Sequence, residues 1–156
     1  TAPGYQPILS ESIPEIQLSN SSGSIRVIAG EYDGRVGPAK TFTPMNVFDI
    51  RLKKDEELVL PAPDGWNTSV VVLRGALESS GHSGDHGVVA KDAKMLMFSQ
   101  DGEDIKVKAL EDTVALLLSG EPIDEPIVGH GPFVMNTREE IEQAINDFNR
   151  GAFGSI

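Results

Sequence analysis

Cysteine is absent from all 156 residues, which excludes disulfides and thiolate-bound metal and allows a reducing compartment; a cytoplasmic location is the expectation. Long apolar runs are absent as well. The two longest, residues 70–73 and 114–118, fall far short of the roughly 20 residues that a membrane-spanning helix needs, and the opening segment lacks the character of a signal peptide. No membrane partner is expected. Basic residues are few: 13 Lys and Arg stand against 24 Asp and Glu, for a net charge of -11. A surface of that sign repels phosphate backbones, so direct nucleic-acid binding has no electrostatic footing. Any part in transcription would run through a protein partner.

What is present is one domain's length of chain with a β pattern. Residues 1–23, rich in Pro, Ser and Asn and without a steady period, read as an arm or interdomain linker rather than a core element. From Ser24 on, short β-branched segments alternate with Gly, Pro and Asp turns, and strands are expected at 25–29, 47–52, 58–60, 69–73, 88–90, 95–98, 105–109 and 114–118. Regular short strands argue for a sandwich or barrel. Phe48, Ile50 and Leu52 alternate with Asp49 and Arg51, which predicts one dry and one wet face. Asp33-Gly34, Asp64-Gly65 and Asp101-Gly102 carry turn chemistry.

One helix is expected over 137–150. Thr137 as N-cap with Glu140 three residues on forms a capping box, Ile141, Ala144, Ile145 and Phe148 make one apolar stripe for core packing, and Gly151 stops it.

Between the strands and the helix lies residues 120–137, where Pro122, Pro126 and Pro132 fix φ while Gly120, Gly129 and Gly131 permit conformations closed to other residues. Nothing in it is a nucleophile. With Gly120, Glu121, Pro122, Glu125, Pro126, Gly131, Pro132, Phe133, Val134, Met135, Asn136 and Thr137, this run resembles the signature that closes pirin-like proteins, members of the cupin superfamily with two β-barrel domains in tandem. Tyr5-Gln6, Ile13-Pro14, residues 27–31, Thr41-Phe42-Thr43-Pro44 and the Gly65-Trp66 turn follow in the family's order. The resemblance covers essentially the whole chain, but only with the second half of the pattern. It implies an all-β fold, a cupin-type double-stranded β-helix (jelly-roll) barrel over 24–156 with a C-terminal α-helix packed across its outside.

In metal-bearing cupins an early strand carries a His-x-His pair, and a later strand adds a His and a carboxylate, donors that suit an iron-like ion. Counting back from Leu73-Arg74-Gly75, the resemblance puts Pro61-Ala62-Pro63 at the first of these places, and proline offers no ligand atom. The later strand, 105–109, presents either Ile105, Val107 and Ala109 or Lys106 and Lys108 inward. Neither parity supplies imidazole or carboxylate, and the apolar parity is favoured. A filled, dry barrel without a cofactor is expected, with iron or another divalent metal implied for the amino-terminal cupin domain that this chain lacks.

Three histidines remain. His82 and His86, with Asp85, lie in a Gly/Ser-rich connection where a loop metal site is conceivable, although a solvated hairpin tip is favoured. His130 is expected to serve structural hydrogen bonding ahead of catalysis. The acidic clusters at 101–104 and 111–112 lack calcium-loop spacing and read as turns. Trp66 is expected to pack rather than to stack on a ligand. The resemblance implies a non-catalytic domain supporting an iron-binding half whose family activity is quercetin 2,3-dioxygenase or transcriptional cofactor. The alternative is a stand-alone metal-binding oxidoreductase using the loop histidines. The expected partner is the amino-terminal cupin domain, and apolar surface bared without it favours a homodimer.

Overall fold

The computed structural model describes residues 6–80 and 87–153. Two compact units divide them, Gln6–Pro122 and the segment from Ile123 onward.

The first unit holds twelve strands: β1 (Glu15–Gln17), β2 (Gly23–Ala29), β3 (Glu31–Tyr32), β4 (Arg35–Val36), β5 (Met45–Leu52), β6 (Glu57–Pro61), β7 (Asn67–Arg74), β8 (Ala76–Ser79), β9 (Val88–Lys91), β10 (Lys94–Met97), β11 (Asp104–Ala109) and β12 (Thr113–Gly120). Six form one sheet in the order β1-β2-β5-β12-β7-β10, four form a second in the order β6-β11-β8-β9, and β3 and β4 make a small ribbon. All pairings are antiparallel, and the order crosses between sheets rather than following the chain, as in a jelly roll. Each of the eight expected strands is present within a residue or two of its expected limits at most positions.

Alternation builds the core. Phe48, Ile50 and Leu52 of β5 point inward with Ile25 and Val27 of β2, Val70 and Val72 of β7, and Ala115 and Leu117 of β12. From the smaller sheet Leu58, Leu60, Leu77, Ile105 and Val107 meet them in one contiguous cluster. Burying this much aliphatic side chain is the main stabilising term at roughly 25 cal/mol per Å². Asp33-Gly34 makes the tight turn of the β3–β4 ribbon, with both residues at positive φ (46° and 71°).

Residues 6–22 are more closely integrated than an arm. β1 is an edge strand paired to β2, Ile16 and Leu18 pack against the core, and Val27 donates its N–H to the Pro14 carbonyl at 3.0 Å. Arg26 reaches Ser10 Oγ at 2.9 Å, and Gln6 bonds Pro38 and Lys40. A three-residue strand is too short to show a period, which is why the sequence pattern concealed it.

The second unit holds a hairpin of β13 (Val128–His130) and β14 (Phe133–Met135), followed by α1 (Arg138–Asn149). Thr137 and Glu140 form the expected capping box, and Gly151, at φ 70°, follows the last turn. Ile141 and Ala144 are buried, but Phe148 is 64% exposed. Its ring instead joins Phe133 and Phe153 in a cluster with centroids 6.2–6.5 Å apart. The expected core stripe therefore ends before Phe148.

Candidate functional site

The stretch that the resemblance aligns with cupin metal ligands lies at the end of β6, where Pro61 pairs with Asp104 of β11. In β6, Leu58 and Leu60 face the core while Glu57 and Val59 face out, so Pro61 falls on the outward parity, half-buried. The chain continues past this donor-less residue because Ala62 N–H bonds the Glu103 carbonyl at 3.0 Å. Ala62, at 8% exposure, is thus the residue turned inward, and Pro63 is half-buried. The structure moves the inward position from the two prolines to the alanine between them. The chemical consequence is unchanged, because a methyl group holds no cation.

On β11 the apolar parity faces in. Ile105, Val107 and Ala109 are buried, and Lys106 reaches Glu57 at 2.5 Å on the outer face. That hydrogen bond and charge hold the Glu57 carboxyl below its usual range. Between Ala62, Phe98 and Ile105 a cavity of about 170 Å³ remains, edged by Ser80, Ser99, Asp101, Asp104 and Lys106. Among the described residues no three His, Cys, Asp or Glu side chains come together closely enough to share a metal ion. The residues at the inward places do not fit the metal that catalytic cupin barrels hold.

The other candidates lie apart. His82, Asp85 and His86 fall outside the described residues. His130 ends β13, exposed, beside a groove of about 380 Å³ that Arg138, Glu142 and Ile141 also line. Trp66 is half-buried at a turn closed by its own N–H to the Pro63 carbonyl at 3.0 Å. Asp64 and Asp101 flank a turn pair in which Gly65 N–H bonds the Gln100 carbonyl at 2.7 Å and Gly102 N–H bonds Asp64 at 3.1 Å. The acidic residues there serve turns, as expected.

Within the run 120–137, the signature residue Asn136 makes three hydrogen bonds. Asn136 donates its side-chain amide to Glu125 at 2.7 Å and to the Pro126 carbonyl at 3.0 Å, while its backbone N–H bonds Glu140 at 3.0 Å. One side chain thereby ties the Glu125-Pro126 loop to the start of α1. Thr137 completes the arrangement by accepting the Glu140 N–H at 3.2 Å. Gly131, at φ 56°, and Pro132 make the turn of the hairpin, and Phe133 enters the aromatic cluster. Val134 is 66% exposed and Met135 half-buried. In the first unit, Gly120 ends β12 and Glu121 donates its N–H to the Pro44 carbonyl at 3.1 Å, with Pro122 exposed beyond it.

A pirin C-terminal cupin domain matches residues 47–154. The chain belongs to the pirin family. A protein of Pseudomonas aeruginosa is 44% identical to this pirin domain over 151 residues, 97% of this chain and 51% of its own length. Mouse pirin is 33% identical, covering 98% of this chain and 52% of its own. The crystal structure of a quercetin 2,3-dioxygenase from Acinetobacter baumannii superposes with a TM-score of 0.87 at 45% identity, over 98% of this chain and 51% of that one. The pirin domain described here spans about half the length of the curated relatives it matches. Its all-β barrel with a terminal helix is the cupin fold that the resemblance implied. No helix among its described residues is long and apolar enough to cross a membrane.

Proposed function

We propose that this chain is a non-catalytic cupin domain that supports a second, metal-bearing half of a pirin-like protein. The observation that carries it is the inward row of Ala62, Ile105, Val107 and Ala109, hydrocarbon in the places where catalytic cupin barrels need imidazole and carboxylate. A chain spanning half the length of its relatives fits a supporting role beside another domain. If the parent shares the activity named for the Acinetobacter baumannii protein, the substrate is a flavonol such as quercetin, and the iron or other divalent metal resides in the other half. The low content of basic residues favours protein over nucleic-acid partners, should the parent act in transcription instead.

The test is quercetin consumption under oxygen by the purified chain, with and without added iron(II) or nickel(II). The expected result is no turnover above buffer with metal. Robust consumption together with one metal per chain would overturn the proposal.

A further inference from the structure

Three of the chain's 13 basic residues surround one hollow, although the chain as a whole carries a net charge of -11. The hollow, of about 330 Å³, lies at one end of the larger sheet, on the side away from the core. Register places its side chains in a single row across five strands. Gln17 of β1 pairs with Ser24 of β2, Ser24 with Arg51 of β5, Arg51 with Val114 of β12, and Val114 with Arg74 of β7. Lys53 follows just beyond the end of β5, and Asp112 stands just before β12.

Arg74 joins this row because of an irregularity in β7. Val70 and Val72 are fully buried, so simple alternation would carry residue 74 inward as well. The register instead shifts between Val114 and Ala115: Val72 pairs with Ala115, but Arg74 pairs with Val114, which leaves Leu73 as the extra residue. Such a bulge re-aims the side chain that follows it, and here it turns a guanidinium out of the core and onto the face that carries Arg51. The surroundings are firmly held. Gly75, at φ 91°, donates its N–H to Asp92, and Ala76 donates its N–H to Thr113 Oγ1 at 3.2 Å. Asp112 is fixed as well, accepting the Lys54 N–H at 2.9 Å.

The charges around the hollow do not cancel. Arg26, at 3.4 Å, neutralises the neighbouring Asp49, which Arg51 reaches only at 4.0 Å, and Lys53 and Arg74 form no ion pair among the described residues. One carboxylate, Asp112, therefore faces three cations, a surplus of two positive charges. A phosphate monoester carries about -1.5 to -2 near neutral pH, and guanidinium forks grip its oxygens in pairs. Ser24, 6% exposed, adds a hydroxyl donor to the wall. We propose that this hollow binds the phosphate dianion of a small soluble molecule, with Arg51, Lys53 and Arg74 as its cationic contacts. A lipid headgroup bears the same chemistry, but an anionic membrane surface repels a chain of this net charge.

The test is a titration with inorganic phosphate at constant ionic strength, followed through backbone amide shifts. Saturable shifts should cluster at residues 51–53, 74–75 and 112–114, and acetate at the same concentrations should produce none there. Arg74→Gln, at an exposed position, should weaken the apparent affinity about tenfold, the loss expected for one hydrogen-bonding contact to a charged group. Asp112→Asn keeps an acceptor for Lys54 and removes the one negative charge, so it should tighten binding about threefold. Lys108→Gln, on the smaller sheet, should leave the affinity unchanged, which separates a built site from a general loss of positive charge. The same spectra report whether each variant is folded.

Shifts that do not saturate and spread over the other lysines, or an affinity that Arg74→Gln leaves unchanged, would overturn the site. Vesicles of phosphatidylcholine with phosphatidic acid distinguish the two sources of phosphate. No sedimentation of the chain with them is expected. Sedimentation that Arg74→Gln abolishes, without saturable binding of inorganic phosphate, would assign the hollow to a lipid surface and overturn the proposal.

Discussion

Ala62 donates its N–H to the Glu103 carbonyl at 3.0 Å, one residue beyond the position where Pro61 stands opposite Asp104. The bond preserves strand parity past a residue that has no donor, and so directs a methyl group into the barrel. Ala62→His would place an imidazole against Phe98 and Ile105, where the cavity is small and no second imidazole lines it. We expect it to cost about 1–3 kcal/mol in urea denaturation, from overpacking and a poorly satisfied polar group. Nickel content should stay well below one per chain. A stoichiometric metal at unchanged stability would show that the site is only one residue away from function.

Asn136 and Thr137 organise the signature run, and each can be tested alone. Thr137→Ala removes the side-chain acceptor of the capping box and should cost about 1 kcal/mol. Asn136→Ala should release the Glu125-Pro126 loop, seen as faster amide exchange across residues 123–137 with the barrel strands unaffected. Uniform acceleration over the whole chain would mean that the signature acts globally.

Thr68 and Ser119 share a hydroxyl hydrogen bond of 2.8 Å between β7 and β12, and both are buried. Thr68→Val strands the serine hydroxyl and should destabilise by about 1–3 kcal/mol. Adding Ser119→Ala should recover part of that loss, because the orphaned group is gone. Full additivity in the double-mutant cycle would mean that the pair is not coupled.

Tyr32 stacks edge-on against Phe48 at 5.6 Å, and burial, with a smaller contribution from Asp33, pushes its phenol above the ordinary tyrosine range. The neutral form is therefore favoured by folding. Its stabilisation is complete below the ordinary tyrosine value of about 10 and is lost as pH rises through the raised folded value. Thermal melts across that window should show a fall in stability that Tyr32→Phe reduces. An identical fall in the variant would place its origin elsewhere.

Much of this fold was legible in the chain because its strands are short, β-branched and separated by explicit turns. The capping box and the inward parity of Ile105, Val107 and Ala109 were equally plain, since each depends on spacing of three or two residues. Other features were not. Ala76–Ser79 follows Gly75 directly and has weak strand character, so β8 is defined by its partners β11 and β9 rather than by its own residues. The hairpin of β13 and β14 hides among glycines and prolines. At the candidate site, the identity of the inward residue depended on whether pairing continues past Pro61, which is a tertiary fact that a count along the sequence cannot supply.

The most direct measurement is anomalous diffraction at the iron or nickel absorption edge, from crystals of this chain grown with that metal. No anomalous peak is expected inside the barrel between Ala62 and the inward residues of β11. A peak there, held by protein nitrogen and oxygen atoms, would contradict it.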